Sequence, residues 1–299
     1  MSKDILNVGA SCITGATVIA ITNPLDCLKQ RWQVSRASGS MLGFTRDLIR
    51  AEGLFRGLWL PGMFTNCMAC TISVGTRIGL YPQLRDRLSL STGHGTKSMF
   101  ISGLAGGALG YVMASPLFFA TRVAQAEAGL VVDGVLTTGA RAGLSPSAAD
   151  AGGLGMLNHL WASAGALGLW KGAGVLVARG ALMSSTQLAT YDQAKRQLQG
   201  AGLPDGPLVH SAASVAASLV LTTAICPLDV VLTNYQAGPS VGRPYASAWA
   251  AASDLVRTDG PIALMRGWLP LWARFLPSSF LTFHIFEQTR RVLIGKYLD

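Results

Sequence analysis

The sequence predicts an all-α membrane protein: six transmembrane helices in three pseudo-symmetric repeats, with short amphipathic helices on one membrane face. Three observations predict it. Charged residues make up 13% of the 299-residue chain and mean hydropathy is +0.38, against about 25% charged in soluble domains, so polar surface is too scarce to solvate a globule. Three long apolar runs each end in a similar proline motif. A second, glycine-based motif recurs at the same spacing in each third of the chain.

The odd-numbered helices come first. Asn23–Gln33 reads NPLDCLKQRWQ, Ser115–Gln125 SPLFFATRVAQ and Cys226–Gln236 CPLDVVLTNYQ, with glutamine nine residues after the proline each time (Pro24/Gln33, Pro116/Gln125, Pro227/Gln236). Each proline closes an uncharged run: Ile5–Leu25, Ser98–Thr121 and Ser211–Leu228. At 1.5 Å rise per residue these runs reach or approach the ~30 Å thickness of a bilayer core. A proline in such a helix frees a backbone carbonyl and kinks the span. Small residues at Ser11/Gly15, Gly103/Gly107 and Ser214/Ser218 have the spacing that lets membrane helices approach closely.

The even-numbered helices follow a second anchor. Trp170-Lys171-Gly172 and Met265-Arg266-Gly267 have a weaker counterpart in Leu60-Pro61-Gly62, and an aromatic stands nineteen residues after each glycine: Tyr191, Phe286 and Tyr81. The stretches between are apolar enough to cross. Repeat boundaries therefore fall near the Gly-rich stretches at 93 and 203, giving units 1–93, 94–203 and 204–299. Between the helices of a unit, MLGFTRDLIRAEG (41–53) and YASAWAAASDLVRTDG (245–260) read as short interfacial amphipathic helices. The Gly/Ala-rich stretch 131–155 of the middle unit lacks that pattern and reads as a flexible insertion.

Charge and motif chemistry narrow the function. The net charge of +9 comes without a basic run or an aromatic-interleaved basic patch, which argues against nucleic acid and for anionic lipid or an anionic solute. Five cysteines without a secreted framework read as reduced thiols. No secretory signal or Arg-rich presequence is visible at the start, so targeting information is expected to be internal. CMAC (67–70) stands alone in mid-span, GLAGGALG (103–110) lacks dinucleotide-binding spacing, and the four histidines are scattered. No cofactor, metal site or enzyme-like nucleophile, base and acid set is indicated.

Two isolated charges carry the functional signal. Arg179 and Arg274 are the single charges between anchor glycine and aromatic in their units, each seven residues after the glycine. A charge near a span centre costs about 2.5–3.5 kcal/mol and is tolerated chiefly toward a watery cavity or a partner. Arginine presents a planar fork matched to carboxylate, so two at one depth suit a small dianion. The repeat places Ala69 at the third equivalent position, with Cys70, Gly180 and Phe275 beside the three. Arg77 adds a further positive group. Structural pairing with backbone carbonyls or with Asp and Glu is the alternative role for these arginines.

Three units of about a hundred residues, each with a proline motif in its odd-numbered helix that follows P-x-[DE]-x-x-[KR] in full at Pro24/Asp26/Lys29, keeps only the acid at Pro227/Asp229 and departs from it at Pro116/Phe118/Thr121, resemble the mitochondrial carrier family. The resemblance implies a six-helix pseudo-threefold barrel in the inner mitochondrial membrane, expected to be monomeric and to bind cardiolipin, that moves one small anionic metabolite by alternating access. It also implies a matrix-side gate in which the acid of one odd helix pairs with the base of the next. Here Asp229 is expected to meet Lys29, Asp26 to face Thr121, and Phe118 to face Leu232, with Gln33, Gln125 and Gln236 bracing the ring. On the cytoplasmic side the family pattern [FY]-[DE]-x-x-[RK] is kept in Tyr191-Asp192 with Lys195 and in Phe286-Glu287 with Arg290, while Tyr81-Pro82 with Arg85 has lost its acid. GTRIGLY (75–81) and QLATYDQAK (187–195) are similar to the dicarboxylate, oxoglutarate and oxaloacetate branch. A di- or keto-acid substrate is therefore expected. A non-transporting scaffold of the same shape and an uncoupler-like proton leak remain the alternatives.

Overall fold

Runs of apolar residues broken by glycine turns give the chain its helices, and the computed structural model describes residues 3–35, 39–92, 96–133, 135–145, 152–202, 204 and 206–294. The described residues form α1 (Lys3–Ser35), α2 (Met41–Glu52), α3 (Met63–Thr92), α4 (Thr96–Glu127), α5 (Gly152–Gly168), α6 (Ala173–Gly200), α7 (Pro207–Ala237), α8 (Ala248–Asp259) and α9 (Trp268–Ile294). Pro24, Pro116 and Pro227 lie inside α1, α4 and α7. The six long helices form a ring: α1 packs on α3, α3 on α4, α4 on α6, α6 on α7, α7 on α9, and α9 returns to α1. Three are long and apolar enough on their own to cross a membrane, over Val8–Ser35, Ile101–Glu127 and Val209–Ala237. Polar and charged side chains dilute the even-numbered helices because part of each faces the interior of the ring.

The ring closes through the anchor glycines. Gly62, Gly172 and Gly267 all have left-handed φ, at 62°, 81° and 90°, which a side chain disfavours. Each also presses on the odd helix of the next repeat. A Cβ on Gly62 would lie 3.0 Å from the Thr121 carbonyl oxygen, one on Gly172 2.7 Å from Leu232 Cδ1, and one on Gly267 3.1 Å from Gln33 Nε2. Three equivalent contacts thus join repeat 1 to 2, 2 to 3 and 3 to 1.

Each odd helix seats a short helix on its outer face. Ser40 caps α2 by accepting from Gly43 N–H at 3.1 Å, and Ser247 caps α8 by accepting from Ala250 N–H at 3.1 Å, which satisfies donors a helix start leaves open. Leu48 of α2 packs with Cys27 and Leu28, and Leu255 of α8 with Ile225 and Val230. α5 is the middle counterpart, with Met156 and Leu160 against Phe119, Ala120 and Val123. It meets α6 at an 88° bend and so runs across the foot of that helix.

Two sequence expectations are corrected. The stretch 131–155 is not a floppy insertion through its described part: Val131–Val132 and Val135–Leu136 pair antiparallel, and Leu136 is buried. Its Thr138 hydroxyl donates to Glu52 Oε1 at 2.5 Å, and Arg141 pairs with Glu127 at 3.0 Å. Composition hid this segment because polar anchors, not an apolar stripe, hold it. The close approach of α4 to α3 falls at Gly110 rather than Gly107, since a Cβ on Gly110 would lie 2.6 Å from the Ser73 carbonyl oxygen while one on Gly107 meets nothing. Gly15 does lie at an interface, against Cys70 Sγ, and Ser218 accepts from Trp272 Nε1 at 3.1 Å.

Candidate functional site

The ring encloses a cavity of about 230 Å³. Five cationic side chains line it, Lys29, Arg77, Arg122, Arg179 and Arg274, against two carboxylates, Asp26 and Asp229. The excess is three positive charges on one cavity wall, which favours an anionic occupant. Cys70, Phe118, Thr121, Gln125 and Phe275 share the wall. Ala69 does not: it is fully buried against Ala114 and Leu117 of α4, because its position on α3 faces the neighbouring helix. Gly180 is likewise buried, beneath the Tyr111 ring.

The two arginines singled out in the sequence reach the same cavity from α6 and α9, and neither stands alone. Arg179 Nε lies 2.7 Å from Asp229 Oδ1, and Arg274 Nη1 donates to Asp26 Oδ1 at 2.7 Å. Asp229 also accepts from Lys29 Nζ at 2.6 Å, with both partners buried. A buried charge needs a counter-charge, and the acids of the proline motifs supply it. Asp26 therefore faces Arg274 and not Thr121, whose hydroxyl bonds the Leu117 carbonyl at 2.8 Å and meets Thr65 Oγ1 at 3.0 Å. Phe118 packs toward Tyr111, ring centroids 6.1 Å apart, and under the Arg122 guanidinium, instead of against Leu232, which lies by Gly172.

The glutamines reach across repeat boundaries. Gln33 Nε2 donates to the Arg266 carbonyl at 3.1 Å and Gln236 Nε2 to the Lys171 carbonyl at 2.6 Å. Gln125 breaks the pattern by donating to Asn23 Oδ1 at 3.1 Å. Asn23 in turn donates to the Trp59 and Pro61 carbonyls at 2.6 and 3.1 Å and accepts from Asn66 at 3.2 Å. This amide joins repeats 1 and 2 where no ion pair spans Asp26 and Thr121. The sequence held the signal, since Ser115 and Cys226 occupy the equivalent place in the other repeats.

Arg122 also escaped the sequence reading. It follows Thr121, the position where the motif wants a base, and its buried Nη1 donates to Gln236 Oε1 at 3.0 Å. At the far end of the barrel Tyr191 Oη meets His210 Nδ1 at 2.6 Å, Asp192 is exposed, and Lys195 and Phe286 are half-buried. The side chains of Tyr81, Arg85, Glu287 and Arg290 lie outside the described residues.

Residues 3–91, 94–202 and 204–297 each match the family model for mitochondrial carrier protein. Over 299 aligned residues the chain is 30% identical to the mitochondrial 2-oxoglutarate/malate carrier protein of Homo sapiens, covering 95% of this chain and 89% of that one. It is 29% identical over 301 residues to the mitochondrial substrate carrier family protein ucpB of Dictyostelium discoideum, with 95% and 93% covered. It is 28% identical over 317 residues to mitochondrial uncoupling protein 5 of Arabidopsis thaliana, covering 95% of each. With the match repeated three times from the first helix to the last, and a helical ring closed by three equivalent glycine contacts, the chain belongs to the mitochondrial carrier protein family of transporters.

Proposed function

We propose that the chain crosses the inner mitochondrial membrane six times, as three units (1–93, 94–203 and 204–299), and carries a small carboxylate by alternating access, a dicarboxylate or keto acid such as malate, oxaloacetate or oxoglutarate. One observation carries the reading: a buried Arg179 and a half-buried Arg274, from different repeats, converge on one cavity with an excess of positive charge. The cavity is smaller than the ~300–1,000 Å³ of pockets that hold drug-sized ligands, which favours a compact anion over a nucleotide. Relatives named as 2-oxoglutarate/malate carriers support the same class.

The geometry suggests how binding opens the gate. Asp26 and Asp229 bind the guanidinium groups that a dianion needs. An incoming carboxylate competes for both arginines and displaces the two acids. Asp229 is shared between Arg179 and Lys29, so its release loosens the contact between α7 and α1, and the ring can part on that side. Once the substrate leaves, the acids return to the arginines. Monomeric action and cardiolipin at the membrane surface complete the proposal.

Counterflow by the purified protein in liposomes tests it. Exchange of labelled malate, oxaloacetate or oxoglutarate is expected. Movement of a nucleotide with no exchange of these acids or of sulfate contradicts the substrate class. Fatty-acid-dependent proton flux without solute exchange supports instead an uncoupler-like leak, a second reading kept in view by a relative named mitochondrial uncoupling protein 5.

A further inference from the structure

We infer that Tyr111 is a specificity-determining residue, whose ring forms a shelf across the carboxylate cavity and limits the length of the anion that fits; the inference rests on the carboxylate reading above. Tyr111 stands on α4, five residues before Pro116, and lines the cavity. The equivalent positions five residues before Pro24 and Pro227 hold Ile19 and Thr222, so this repeat alone places an aromatic ring there. The ring enters because Gly180 makes room for it. A Cβ on Gly180 would lie 2.2 Å from Tyr111 Cε2 and 2.7 Å from Cδ2, closer than any side chain tolerates, so glycine at 180 and the ring at 111 form one unit.

Position makes the shelf consequential. Gly180 follows Arg179 directly, so the ring sits beside one of the two guanidiniums that would hold the substrate's ends. Phe118 backs it at 6.1 Å between centroids, and Arg122 lies over Phe118. The rings therefore fill volume on the α4 and α6 side of the cavity, and Arg274 closes the opposite side from α9. A dianion spanning Arg179 and Arg274 must clear the Tyr111 ring edge. Each added methylene then meets aromatic carbon, and in a close-fitting site one methylene shifts selectivity by about tenfold or more.

Two arms test the shelf in the full-length protein reconstituted in liposomes. In the first, uptake of malonate, succinate, glutarate, adipate and pimelate is measured for wild type, Tyr111→Phe and Tyr111→Ala. Tyr111→Ala is expected to raise the ratio of adipate to succinate uptake by about tenfold, whereas Tyr111→Phe keeps the wild-type ratio because the ring remains. The second arm needs no transported substrate. In a Cys12→Ser/Cys67→Ser background, small and bulky anionic thiol reagents react with Cys70, which lines the same cavity. Tyr111→Ala is expected to raise the bulky-to-small rate ratio several-fold. An unchanged uptake ratio in folded, active Tyr111→Ala overturns the shelf. If wild type moves no dicarboxylate, the carboxylate reading fails and the Cys70 arm decides alone: a raised ratio keeps the shelf, an unchanged one removes it.

Discussion

At the residue scale, the surprise is that the arginines expected to await a substrate are already engaged. Asp26 holds Arg274 and Asp229 holds Arg179, each at 2.7 Å. In the proposed mechanism the acids of the proline motif are both gate partners and stand-ins for the cargo. Replacing Asp26 with asparagine weakens the competitor without removing the arginine. Hydrogen bonds to charged groups are worth about 1.5–3 kcal/mol, so Asp26→Asn is expected to tighten binding of malate by roughly tenfold. Titration of the purified variant checks it, and an unchanged or weaker Kd rules out the competition. Arg179 and Arg274 were legible in the sequence because a lone charge in an apolar stretch is conspicuous. Arg122 was not, because it stands one place after the motif position that would have flagged it and only the structure shows it lining the cavity, while Asn23 was marked only by the different residues, Ser115 and Cys226, at its place in the other repeats. Ala69 was misread because repeat spacing gives depth along a helix, and its neighbour decides the face.

At the element scale, the proline-bearing long helices and the short helices at 41–53 and 245–260 could be read directly from apolar runs and amphipathic periodicity. The middle insertion could not. Its hold on the rest of the molecule comes from Thr138 on Glu52 and Arg141 on Glu127, contacts between segments far apart in sequence that no local pattern announces. The repeat joints offer a sharper test of the fold. Gly172 combines a left-handed φ of 81° with a contact in which an added Cβ would lie 2.7 Å from Leu232 Cδ1. Gly172→Ala is therefore expected to lower stability by about 1–3 kcal/mol, seen as a fall in Tm of the detergent-solubilised protein. Gly174, whose Cβ would meet nothing within 4 Å, serves as the control. Equal Tm values for the two variants contradict the joint.

At the scale of the whole molecule, the threefold plan is visible twice, in the repeated proline and glycine motifs and in the three contacts through which each repeat rests on the next. What the plan does not reproduce is equally informative. One repeat boundary is held by the Lys29–Asp229 ion pair, while another is held by the Asn23 amide network with Gln125 and Asn66. The symmetry of the helices is thus kept while the chemistry at the joints varies, leaving the cavity lined differently by each repeat. The claim on which this account rests is that Arg179 and Arg274 together seat the cargo. Its most direct measurement is the thermal shift of the purified protein with malate or oxoglutarate, in wild type and in Arg179→Ala and Arg274→Ala. A ligand at a hundredfold excess over its Kd stabilises the folded form by about 2.7 kcal/mol, so wild type should melt higher with the dicarboxylate, and both variants should show little or no shift. A full shift in either variant contradicts the account.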